Sequence, residues 1–130
     1  MSVIRVLIVD DSVTIRAMLE EVLGREQDIA LVGSAADAAT AIRMIDELRP
    51  QVTTLDIAMP GVDGLALLDL IHHRTHAIML TSHGEAAADS IDRGALGFFP
   101  KPEILRDSKR MVKMVRKAAE GKATRLRNTA

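Results

Sequence analysis

Asp10, Asp11, Asp56, Thr81, Ser82 and Lys101 are the residues of this 130-residue chain whose types could do chemistry together. Each stands at the carboxyl end of one of four short apolar runs. Three carboxylates packed without a counter-ion would repel and raise one another's pKa values. Hard oxygen ligands of this kind suit Mg²⁺, which takes one or two carboxylates, keeps several waters and coordinates a phosphate oxygen. A lysine ammonium and a threonine hydroxyl at the same rim would add a cation and a donor for phosphoryl oxygens. Singly, each residue has a plainer reading. Asp-Asp-Ser after a strand serves as a helix N-cap with solvated acids, Asp56 suits a turn, and Thr81 is a β-former. Lys101 is the least ordinary, because Pro100 and Pro102 fix the backbone on both sides of one cation. Their joint occurrence at four strand ends gives them a common purpose.

Such residues need a frame that sets strand ends side by side. Ile4–Val9, Ile29–Ser34, Val52–Leu55, Ala77–Leu80 and Leu96–Phe99 read as strands short and apolar enough to be buried on both faces. Helical patterns lie between and after them. Val13–Leu23 aligns Ile15, Met18, Leu19 and Val22, and Ala38–Leu48 aligns Ala38, Ile42 and Ile45. Leu65–Ile71 repeats Leu65, Leu68 and Ile71, while Ala86–Arg93 offers only Ala87 and Ile91. Ile104–Ala119 repeats Leu105, Val112, Val115 and Ala119, with Lys and Arg opposite. Ser12 and Asp37 stand as N-caps, and Gly24 follows the first helix. Strand and helix alternating five times predicts an α/β fold, a (βα)5 doubly wound parallel sheet with right-handed crossovers. Open parallel sheets bind ligands outside the carboxyl ends of their strands, where the candidates gather. If the first and third strands are neighbours, the three acids share one cleft.

Composition narrows the function classes. Hydrophobic residues make up 48% and charged residues 27%, a globular balance. No apolar run approaches the roughly 20 residues of a membrane span, and the start lacks the pattern of a signal peptide. The absence of cysteine excludes disulfides, thiolate metal sites and cysteine catalysis. With no Trp or Tyr, and only Phe98 and Phe99, there is no aromatic platform for single-stranded nucleic acid. The overall charge of −1 hides an asymmetry: residues 1–100 carry 15 acids against 7 arginines, and residues 101–130 carry 10 basic residues against 3 acids. The basic last helix lacks any nucleic-acid motif and reads as a solvated face or a surface for a partner helix. His72, His73 and His76 form a cluster in which His72 and His76 have chelating spacing, but no nearby acid or cysteine completes a metal set.

The segments VLIVDDSVTIR, TLDIAMPGVDGL, MLTSHG and GFFPKP, in that order, resemble the receiver domain of two-component response regulators. The resemblance covers about residues 3–120 and is nearest to the receiver half of chemotaxis methylesterases. It implies a flavodoxin-like sheet of order 2-1-3-4-5, with a receiver domain over 1–120 and a basic flexible tail over 121–130. By position, Asp56 would be the phosphoacceptor. Asp11 would bind Mg²⁺ directly and Asp10 largely through water, with Asp56 and the backbone carbonyl of Ala58 as further ligands. Lys101 would pair with the phosphoryl group, and Thr81 would hydrogen-bond it and move toward it. Phe98 occupies the aromatic switch position. Met59-Pro60-Gly61 and Asp63-Gly64 shape turns beside the site.

These roles describe a stand-alone cytoplasmic response regulator rather than an enzyme acting on other substrates. It would take phosphate from a sensor histidine kinase or a His phosphotransferase and signal to a protein partner, as a monomer or weak dimer without nucleic acid or membrane insertion. The alternative is the receiver part of a larger methylesterase-like regulator. Departures from the family pattern are a short HHRTHA connection, a shortened TSHGEAAADS loop, Ser82 where Ala is frequent, Phe98 without a hydroxyl, and Pro100 before the lysine. Ala58 and His83 would flank the path of hydrolytic water and tune phosphoryl lifetime. A phosphatase of the haloacid-dehalogenase type would need a second Asp two residues after Asp56, where Ala58 stands. A nucleotide or flavin binder would need a Gly-rich loop where Asp10-Asp11-Ser12 stands.

Overall fold

The computed structural model describes residues 2–82 and 87–123. Its elements are β1 (Ile4–Val9), α1 (Val13–Gly24), β2 (Ile29–Ala35), α2 (Ala38–Leu48), β3 (Val52–Asp56), α3 (Gly64–Ile71), β4 (His76–Thr81), α4 (Ala87–Asp92), β5 (Gly97–Pro100), α5 (Glu103–Arg106) and α6 (Ser108–Ala119). The five strands form one sheet in the order β2-β1-β3-β4-β5, all pairs parallel, as the resemblance implies.

Alternating side chains on the central strands feed two cores, because successive residues of a strand point to opposite faces. Val6, Ile8, Val52, Ile78, Leu80 and Phe99 pack with α1, α5 and α6 on one face. Leu7, Val9, Leu55, Ala77 and Met79 pack with α2 and α3 on the other, where Ile91 of α4 also rests. This two-sided burial explains why the strands read as continuous apolar runs.

Helix starts follow local chemistry. Ser12 Oγ accepts from Ile15 N at 3.2 Å, and Asp37 Oδ1 accepts from Thr40 N at 2.8 Å, so both expected N-caps form. Asp63 caps α3 by accepting from Leu65 N at 3.0 Å. Gly24 does not follow α1 but is its last residue. Arg25 closes the helix in a right-handed turn, its N–H on the Leu23 carbonyl, so no left-handed cap is required.

The expected single helix over Ile104–Ala119 is broken at Asp107, whose backbone (φ −130, ψ 53) leaves helical space. The break uncouples the phase of the first turn from the rest. Ile104 is therefore fully buried, while Leu105, expected to face inward, is 54% exposed. Beyond the break Val112 and Val115 are buried as expected, with Ala118 rather than Ala119 filling the last core position.

The last strand lies one residue later than expected, ending at Pro100. Proline is tolerated there because β5 is an edge strand and Pro100 is its final residue. The next N–H, from Lys101, donates to Thr81 O at 2.8 Å and continues the ladder. Among the described residues every peptide bond is trans. Among the described residues no helix is long and apolar enough to cross a membrane.

Candidate functional site: an acidic pocket closed by a lysine

Because β1 and β3 are neighbours, Asp10 just after β1 and Asp56 at the end of β3 converge. One carboxylate oxygen from each of Asp10, Asp11 and Asp56 lies within 4.8 Å of the others. Asp10 and Asp56 are buried (0% and 1% exposed), and Asp11 is open to solvent. Each buried acid is held by its own loop. Asp10 Oδ1 accepts from Ser12 N at 2.8 Å, and Asp56 Oδ1 accepts from Ala58 N at 3.0 Å.

Lys101, carried in by β5 from the far edge of the sheet, bridges the two acids. Its Nζ stands 3.1 Å from Asp10 Oδ2 and 3.0 Å from Asp56 Oδ1. Burial raises the Asp10 carboxyl above the ordinary aspartate range, and the neighbouring Asp56 adds to this against the lowering pull of Ser12 N–H and Lys101. Burial works to lower the Lys101 ammonium, but its bonds to Asp56 and Asp10 outweigh it and the net direction is upward.

The pocket suits a hard cation. Among the described residues Asp56 Oδ2 is buried and accepts no hydrogen bond, while Asp10 Oδ2 meets the ammonium alone, as an ion pair. A buried carboxylate oxygen without a donor is costly, and a divalent ion among three carboxylates would satisfy it. Asp10, Asp11 and Asp56 therefore fit Mg²⁺. Among the described residues they are the one group of three acids or histidines so disposed.

The other expected site residues fall around this centre. Thr81 ends β4, the strand beside that of Asp56, and is 4% exposed. Ser82 is exposed, and Ala58 lies in the exposed loop after β3. Phe98 on β5 is partly buried against the α2–α4 side of the sheet. Phe99 points to the opposite core, with the Arg110 guanidinium 4.7 Å from its ring centre. His83 and the expected start of the fourth helix at Ala86 lie outside the described residues, as does most of the tail. The histidines do not chelate from one helix: His72 caps the end of α3 and His76 opens β4, while the His72 and His73 rings lie 3.8 Å apart.

Sequence reasoning passed over one residue at the site. Arg16, on the second turn of α1, donates from Nη1 to the Asp10 carbonyl at 2.7 Å. The signal was an arginine four residues beyond the helix cap Ser12, a spacing that turns it back over the loop.

Comparison with known proteins agrees with this geometry. The family model described as the response regulator receiver domain matches residues 6–116. A protein-glutamate methylesterase/protein-glutamine glutaminase of Shewanella oneidensis is 44% identical over 107 residues, 78% of this chain. One from Xanthomonas campestris is 46% identical over the same length. The chain spans 30% of the length of these relatives. Among solved structures, the response regulator domain of Thermotoga maritima CheB superposes with a TM-score of 0.83 at 32% identity, covering 91% of this chain and 97% of that one. The receiver domain of the putative response regulator NarL from Mycobacterium tuberculosis gives 0.85 at 28%, covering 94% and 100%. With the expected strand order, the acidic pocket and a family match over most of its length, this chain belongs to the receiver domains of two-component response regulators.

Proposed function

We propose that Asp56 accepts a phosphoryl group from the phosphohistidine of a sensor histidine kinase or His phosphotransferase, and that the chain acts as a stand-alone cytoplasmic regulator. The observation that carries this reading is the Asp56 carboxylate itself. It is fixed by Ala58 N and Lys101 through one oxygen and, among the described residues, left without a hydrogen bond on the other, inside a triad of acids. A carboxylate held in one orientation with a lone pair free is a usable nucleophile toward phosphorus. An Asp56 oxygen bonds to phosphorus as the phosphorus–nitrogen bond of the donor breaks. The electron pair returns to the imidazole, which is protonated from solvent, and an aspartyl phosphate remains.

Mg²⁺ held by Asp10, Asp11, Asp56 and the Ala58 carbonyl would neutralise charge on the phosphoryl oxygens. The chain's own residues do the rest. Lys101 moves its ammonium from Asp10 to the new group, and Thr81 donates its hydroxyl to it. The inward step of Thr81 gives Phe98 room to rotate, changing the surface of α4 and β5 that a protein partner would read. We assign the receiver to residues 1–120 and the basic tail to 121–130. Ala58, which cannot act as an acid or base two residues after Asp56, speaks against a phosphatase of multiple turnover.

A second reading has its own support: identity of 44–46% to methylesterases of which the chain spans only 30% favours a receiver that governs an esterase domain. Incubation with a phosphorylated histidine kinase and Mg²⁺ tests the first. Label should pass to the wild type and not to Asp56→Asn. Transfer to Asp56→Asn at the wild-type rate would refute the assignment.

A further inference from the structure

We infer that Arg16 is a positioning residue for the metal acids, acting through the peptide that joins Asp10 to Asp11; this rests on the reading of the pocket as a divalent-cation site. Three hydrogen bonds hold Asp10 in the loop between β1 and α1. Asp10 N donates to Ala35 O at 3.0 Å, Ser12 N donates to Asp10 Oδ1 at 2.8 Å, and Arg16 Nη1 donates to Asp10 O at 2.7 Å. The first two fix the amide and side chain of Asp10. Among the described residues only the third holds the Asp10 carbonyl, and so the plane of the peptide leading into Asp11. Asp11 is exposed, so its direction depends on the backbone that carries it. That direction is therefore inherited from the peptide before it. Without the guanidinium the Asp10–Asp11 peptide can rotate and swing the Asp11 carboxylate away from Asp10 and Asp56. Hydrogen-bonding partners behind metal ligands typically contribute 10–100-fold in metal affinity.

The sign of the effect separates this role from a plain charge effect. Arg16 is a cation near a cation site, so removing its charge alone would tighten Mg²⁺ binding. If it positions Asp11, removing it weakens binding instead. The test is calorimetric titration of the full chain with MgCl₂, comparing wild type, Arg16→Met and Arg16→Lys, with far-UV circular dichroism to verify the fold.

Arg16→Met should bind Mg²⁺ at least about tenfold more weakly. Arg16→Lys, which keeps a donor at similar reach, should recover much of the loss. Unchanged or tighter binding by Arg16→Met would overturn the inference. So would a weakened Arg16→Lys no better than Arg16→Met, since then the carbonyl bond is not the cause. If Arg16→Met does not fold, Arg16→Gln takes its place and must show the same loss. A wild type that fails to bind Mg²⁺ at millimolar concentration would instead sink the reading of the pocket itself.

Discussion

At the scale of the residue, Lys101 decides the state of the pocket. Its ammonium is the counter-ion of two buried carboxylates and occupies the space between them. On the proposed function it would compete with a metal in the resting protein, yet supply the cation that a phosphoryl group needs. Lys101→Met should separate these roles. Mg²⁺ affinity should rise several-fold in a calorimetric titration, because the competing cation is gone. Phosphoryl acceptance at Asp56 should fall by about 10²-fold, the usual cost of removing one donor to a developing oxyanion. Weaker metal binding in this variant would show that Lys101 supports the acid cluster rather than competing for it.

At the scale of the element, the loop from β3 to α3 presses on its own helix start. Gly64, the first residue of α3, lies so close to Ile57 that a Cβ there would sit 2.6 Å from Ile57 Cα. The contact is with backbone, which cannot yield as a flexible side chain does. Gly64→Ala should lower stability by about 1–3 kcal/mol, a fall of roughly 4–12 °C in a thermal melt. It should also slow phosphorylation, since Ile57 and Ala58 directly follow Asp56. A melt within a degree of the wild type would mean that the loop relaxes freely.

The elements were legible where burial acts on both faces, as in Val6–Val9, and where a side chain caps a helix, as at Ser12 and Asp37. The acids and Lys101 were legible because polar residues directly after buried runs stand out. That Lys101 bonds Asp10 as well as Asp56 was not legible in local pattern, which carries no strand order; the order came only from the resemblance. The break at Asp107 was hidden as well: Ile104 and Leu105 are one position apart, and either continues an apolar stripe.

At the scale of the molecule, the basic last helix is tied to the acidic body. Arg116 of α6 donates from Nε to Asp28 Oδ2 at 2.9 Å and from Nη2 to Glu26 Oε1 at 2.8 Å, which links α6 to the loop between α1 and β2. Arg116 holds the Asp28 carboxyl below the ordinary range, as Thr40 does for Asp37. A group whose pKa is lowered by folding gives its full stabilisation above its unfolded value, near pH 4, and loses it as pH falls through the lower folded value. Lys101 has the opposite sense: its contribution is full below the ordinary lysine value of about 10.4 and is lost as pH rises through its raised folded value. The melting temperature of Arg116→Met should therefore lie slightly below that of the wild type at pH 7 and converge on it below about pH 3. Added salt should shrink the gap, because the pair is partly open to solvent. A gap that widens on acidification would contradict this linkage.

The central claim is that Asp56 captures phosphorus, and locating the acyl phosphate in the chain tests it most directly. After phosphorylation with Mg²⁺ present, borohydride reduces a phosphorylated aspartate to homoserine, and peptide mass spectrometry shows where. Homoserine is expected at position 56 alone, and none when Mg²⁺ is left out. Homoserine at position 10 or 11, or an unmodified chain despite bound Mg²⁺ and a competent donor, would contradict it.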